Sequence, residues 1–168
     1  MMKTKCVLIF LTVVVIFCSC KNEIKTYLTK TGDTKTTEFN TELFIYPTEK
    51  NIIKHYGWRE DSAGGFKRFY EGIGLGGTTG TPVMAAMSGT VEMTGTDRRF
   101  GNVIIINHND NYKTFYAHLA KLAVKKGDSV IQGDKIGEMG KNGQDTEAYL
   151  HFGIYEDGKS VNPVELLD

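Results

Sequence analysis

The chain has 168 residues, about one domain's worth, and its 20 basic side chains balance 20 acidic ones to a formal net charge of zero. That balance argues against nucleic acid as a partner, because such binders carry a basic surplus. Hydrophobic residues at 40% and charged residues at 24% argue against wholesale disorder, while 19 Gly and 3 Pro without a three-residue period exclude collagen and point to a turn-rich β domain.

Lys3 and Lys5 precede an apolar run of 13 residues, 6–18. A helix needs about 20 residues to span a bilayer core, so the run is too short to cross and reads as a secretory signal. It ends in Phe17-Cys18-Ser19-Cys20-Lys21, which resembles a bacterial lipobox with Cys20 as the lipidated residue. The expectation is a signal over 1–19 and an exported lipoprotein anchored to a membrane of the bacterial cell envelope. A cleaved signal without lipid is the alternative. All three cysteines (Cys6, Cys18 and Cys20) lie here, so the exported domain has no disulfide and no thiolate for a metal. Cutting before Cys20 leaves 149 residues with 18 basic against 20 acidic, too weak a charge to attract an anionic wall or membrane at long range. Residues 20–50 are polar and read as a tether, with a candidate short strand at 43–46; the domain is expected over 51–168.

Beyond the tether the pattern is strand and turn. Residues 102–108 are a β-branched run, Asn109-Asp110-Asn111 supplies turn residues, and 113–119 returns as a second strand, which predicts a hairpin. Residues 124–140 read as short strands punctuated by Gly, and 148–155 alternate with period two before a turn at Glu156-Asp157-Gly158. No long amphipathic helix is predicted from Asn51 onward. The fold class is all-β.

Four histidines remain to carry chemistry. His118 lies near the end of a predicted strand, and period two puts Tyr149 and His151 on one strand face. His108 precedes a turn and His55 stands in Lys54-His55-Tyr56-Gly57-Trp58. Singly, each reads as a surface or packing residue.

Taken in order, the segments resemble the LytM/lysostaphin-like zinc endopeptidases, metallopeptidase family 23, which cut peptide cross-links in bacterial cell wall. The resemblance runs through Tyr56-Gly57-Trp58-Arg59, Tyr70-Glu71-Gly72-Ile73-Gly74-Leu75, Gly80-Thr81-Pro82-Val83-Met84-Ala85-Ala86, Thr114-Phe115-Tyr116-Ala117-His118-Leu119 and Leu150-His151-Phe152, and closes at Val161-Asn162-Pro163. It implies a β-sandwich or barrel of short antiparallel strands with a duplicated hybrid motif. It also implies where a zinc site would stand. The first two ligand positions, a His and an Asp in active relatives, are Tyr70 and Gly74 here. His151 keeps the third ligand position, and His118 keeps a catalytic one. Tyr149 replaces the other catalytic His.

A catalytic zinc is held by three protein ligands with one position open for water, and its service is to lower the pKa of that water. With two of three ligands lost, no cofactor is expected. Recruitment of Glu71, Asp61 or Glu147 is the way such a site would be rebuilt, although Glu71, read as part of an alternating strand, points away from the neighbours of Gly74. Tyr70, His118, Tyr149 and His151 would then line a groove, with Tyr offering a flat face and a polar tip. The resemblance therefore implies a non-catalytic regulator or scaffold of peptidoglycan remodelling, whose partner is peptidoglycan, its peptides, or an envelope protein such as a wall hydrolase. An active endopeptidase with a rebuilt site and a plain wall-binding module are the alternatives. A second likeness, of 82–91 and 124–137 to biotinyl and lipoyl carriers, is weaker: Glu138-Met139-Gly140-Lys141-Asn142-Gly143 lacks the carrier lysine's setting.

Overall fold

A computed structural model describes residues 43–60, 65, 67–108, 111–141 and 147–168. The signal, Cys20, the tether up to 42 and Asp61 lie outside the described residues. Among the described residues twelve strands follow in chain order: β1 (Ile52–Lys54), β2 (Gly57–Glu60), β3 (Lys67–Tyr70), β4 (Ile73–Gly77), β5 (Pro82–Met84) and β6 (Gly89–Asp97), then β7 (Gly101–Asn107), β8 (Tyr112–Leu122), β9 (Ser129–Val130), β10 (Lys135–Met139), β11 (Ala148–Glu156) and β12 (Lys159–Val161). One 3-10 turn, Pro163–Glu165, ends the series. The all-β expectation holds, and the predicted hairpin is β7 against β8.

The main sheet runs β1-β4-β11-β8-β7-β6-β9, with β12 on β11 and β10 bridging β5 and β8. β2 and β3 form a separate two-stranded sheet. β4 and β11 carry the core because their alternation is strict. Ile73 and Leu75 in β4 and Leu150, Phe152 and Ile154 in β11 are fully buried, and they join Ile104, Ile106, Tyr116 and Ile136 in one cluster. The other face of β4 is Gly74 and Gly76, so the neighbouring strand's Tyr149 and His151 stand above a floor with almost no side chains. This face holds the site.

Residues 43–50, expected in the tether, include side chains that pack against the domain. Phe44 is buried at 5% exposure, edge-on to His108 and Tyr112, and forms a single parallel bridge with Leu167 rather than a strand. The compact unit accordingly spans Glu42–Asp168. Composition hid this because one buried aromatic in a polar stretch has no period.

A buried polar chain staples the core. The Ala86 N–H donates to the Tyr116 hydroxyl at 2.9 Å, that hydroxyl meets Thr114 Oγ1 at 3.0 Å, and Thr114 Oγ1 meets His108 Nε2 at 2.6 Å. His108 Nδ1 in turn lies 2.9 Å from the Ser88 carbonyl, which only accepts, so Nδ1 carries the proton. Burial pushes the Tyr116 phenol up to about 12. Thr114→Val breaks the chain at its middle and leaves the buried Tyr116 hydroxyl and the half-buried His108 Nε2 without this partner. It is expected to cost about 1–3 kcal/mol, read as a lower urea midpoint with an unchanged slope.

Candidate functional site

His118 reaches the site through a backbone irregularity. In β8, period two would send it to the core side with Tyr116. The β7–β8 register instead slips between Asn102↔Leu119 and Ile104↔Tyr116, so three steps in β8 face two in β7. His118 takes the extra place at φ 63, in the left-handed region. Such a bulge re-aims a side chain, and here it turns His118 toward β11. Its ring meets Tyr149 edge-on at 4.6 Å and lies 6.0 Å from His151. Two backbone bonds hold the bulge: the His118 N–H donates to the Phe100 carbonyl at 2.9 Å, and the Gly140 N–H donates to the His118 carbonyl at 2.8 Å. His118 thus sits inside β8, which runs on to Leu122, and not near a strand end as 113–119 predicted.

Tyr70 ends β3, so the small sheet delivers it to the main one. Its hydroxyl bonds His151 Nδ1 at 2.7 Å and its ring stands edge-on to His151 at 4.8 Å. Gly74 pairs with His151 on one side and with Lys54 on the other. All four residues of the expected groove, Tyr70, His118, Tyr149 and His151, therefore come together, with Gly74 beneath. Tyr149, His118 and His151 are 4–5% exposed, so the floor is closed over rather than open.

Several members were not read from the sequence. Phe100 stands in the β6–β7 turn, where the Asp97 carboxylate accepts from the Arg99 and Phe100 N–H groups, and its ring lies 5.3 Å from His151 and 6.3 Å from His118. Phe115 adds an edge contact to His151 at 5.7 Å. Three cations lie over the aromatic walls: Lys54 Nζ over Tyr149 at 3.8 Å, Arg59 over Tyr70 at 4.8 Å, and Arg99 over Phe100 at 5.1 Å. Each gains from the negative face of its ring. Burial, reinforced by His118, Lys54 and Arg99, drives the His151 imidazole down to about 3. His151 is neutral across the physiological range.

This donor set is not one that a catalytic zinc takes. A zinc needs three nitrogen, sulfur or carboxylate donors around one point. Among the described residues no three of His, Cys, Asp and Glu are so placed. The Nδ1 of His151 is engaged by Tyr70, and Lys54 brings positive charge. Glu71 does not fill the gap: it lies in the turn between β3 and β4, not on an alternating strand, with its carboxylate 3.5 Å from the Tyr155 hydroxyl. Glu147 is exposed ahead of β11. His55 is exposed too, its carbonyl accepting from Arg59 Nε.

The sequence profile of Peptidase family M23 matches residues 68–163. The chain belongs to this family. Lipoprotein NlpD/LppB homolog of Pseudomonas aeruginosa is 42% identical over 98 residues, covering 58% of this chain and 33% of that protein. Murein hydrolase activator NlpD of Escherichia coli is 40% identical over 123 residues, covering 73% and 30%. This chain spans about a third of the length of those relatives. Among solved structures, a zinc-containing peptidase from Vibrio cholerae superposes with a TM-score of 0.68 at 32% identity, covering 72% of this chain and 39% of that one. The M23 fold and the order of its segments are thus shared with proteins described as an activator and as a peptidase.

Proposed function

We propose that this M23 domain does not cut peptide bonds and works at the cell envelope as a regulator or scaffold of peptidoglycan remodelling, presented as a lipoprotein through Cys20. The observation that carries the reading is the pair Tyr70 and Gly74. One donates or accepts a hydrogen bond at His151 and the other has no side chain, which supports a site without the ligands that a zinc shared with His151 would need. Likeness to a murein hydrolase activator supports the same direction. Lys54, Arg59 and Arg99 around a closed aromatic floor favour a carboxylate-bearing segment lying across the rim, as a wall hydrolase or a wall peptide presents.

The test uses residues 21–168, which include the whole compact unit. The protein is equilibrated with zinc, desalted and analysed for metal, then added to dye-labelled sacculi with and without a wall hydrolase. The expected result is no retained zinc, no release by the domain alone, and a rise of about tenfold in release by the hydrolase. Arg59→Glu with Arg99→Glu is expected to abolish that rise while leaving the melting temperature within a few degrees. Zinc-dependent release by the domain alone would establish a rebuilt peptidase instead. Sedimentation with sacculi and no effect on the hydrolase would establish a wall-binding module.

A further inference from the structure

We infer that Lys54 is what closes this site to a metal: its stem occupies the space a ligand side chain at position 74 would need, and its ammonium adds positive charge over Tyr149. The inference rests on the non-catalytic reading and adds a cause to it, since loss of ligands at Tyr70 and Gly74 alone leaves a site that reversion would restore.

The geometry is set on β1. Its register against β4 slips between Ile52↔Leu75 and Lys54↔Gly74, so two steps of β1 face one of β4. The slip draws the root of Lys54 onto Gly74. A Cβ at position 74 would lie 2.9 Å from Lys54 Cβ, 3.1 Å from Cγ and 3.3 Å from Cδ. Opposed side chains in a sheet normally keep their Cβ atoms about 4.5–5.5 Å apart. The nearest of these atoms, Cβ, does not move with the side-chain rotamer, so β1 itself has to shift to clear it. From that root the chain continues to Nζ, 3.8 Å from the centre of the Tyr149 ring. Tyr149 is the position of the lost catalytic His, so the ammonium stands beside the positions a zinc ion would share. Gly74 has an ordinary backbone conformation, unlike the glycines with positive φ. Crowding by Lys54, and not backbone demand, keeps it glycine.

Two measurements test this. In the first, Tyr70→His, Gly74→Asp and Tyr149→His are combined, with and without Lys54→Gly, and zinc is titrated against a competing chelator. The chain with Lys54 retained is expected to bind at least 100-fold more weakly than the chain without it. Equal affinities in the two would overturn the inference while leaving the non-catalytic reading intact; zinc in the unaltered chain would sink that reading first. The second measurement needs no metal and no multiple variant. An open strand glycine gains stability on conversion to alanine. Gly74→Ala is here expected to lower the melting temperature, and Lys54→Gly in the same chain to recover most of that loss. A neutral or stabilising Gly74→Ala, or losses that simply add, would overturn the assignment.

Discussion

Gly72→Ala is expected to cost about 4 kcal/mol or more, a large share of the roughly 5–15 kcal/mol that stabilises an ordinary domain. Gly72 carries the chain from the small sheet to the main one, at φ 145, which L side chains rarely adopt. A Cβ there would overlap the Phe152 carbonyl oxygen and come within 3.1 Å of the Phe152 carbonyl carbon, both rigid backbone of the central strand. Strain of about 1–3 kcal/mol adds to an overpacking cost of similar size. Gly80→Ala separates the two contributions: φ there is 91, but nothing lies within 4 Å of the added carbon. It should show the strain alone, about 1–2 kcal/mol. Urea unfolding of both variants, followed by tryptophan fluorescence and circular dichroism, reads the difference. Equal losses would mean that the carbonyl of Phe152 yields, and that the path to Tyr70 is softer than it looks.

Acid is expected to destabilise the fold from pH 6.5 downward, well above the range where carboxylates usually dominate. His151 has an ordinary pKa of 6.5 when unfolded and about 3 in the fold, chiefly from burial and then from His118, Lys54 and Arg99. Below pH 6.5 the unfolded chain takes up a proton that the native chain refuses, so stability falls as pH falls and levels off near pH 3. Between pH 6.5 and 4.5 the loss should be about 2–3 kcal/mol. Asp97 and Glu138, whose carboxyls are held below their usual values by backbone N–H groups and by Lys135 respectively, lose their contribution only at lower pH. The upper window therefore belongs to histidine. His151→Gln keeps a hydrogen-bonding partner for Tyr70 without the titration, and should flatten the slope there. An unchanged slope would move the effect to another group.

The fold could be read because its segments are local and ordered. The β7–β8 hairpin, the alternation of β11 and the Gly-punctuated stretch before it each have a period or a turn signature, and their sequence along the chain matched one family. Tyr70, Gly74, His118, Tyr149 and His151 followed because each stands at a motif position. What stayed hidden depends on register. Nothing in Ile52-Ile53-Lys54 announces the slip that lays Lys54 on Gly74, and nothing in Arg98-Arg99-Phe100 tells that a turn will fold its ring over two histidines. His118 is the instructive case. Strict alternation would have sent it inward, and only the bulge, which no periodicity reveals, brings it to His151.

The seat of Phe44 has a mechanical consequence. Its carbonyl accepts from the Asp168 N–H at 2.9 Å, and its neighbour Ile45 donates to the Ala86 carbonyl at 2.9 Å. Tension arriving along the chain from residue 43 meets this short clasp first, and the strands behind it are loaded only after Phe44 leaves its pocket. The clasp joins residues 44 and 45 to Asp168 and to Ala86, so a pull would open both contacts together. Stretching single molecules from residue 43 should show a small early yield of these few residues, followed by a larger event in the sheet, and the two histidines would stay together until the second.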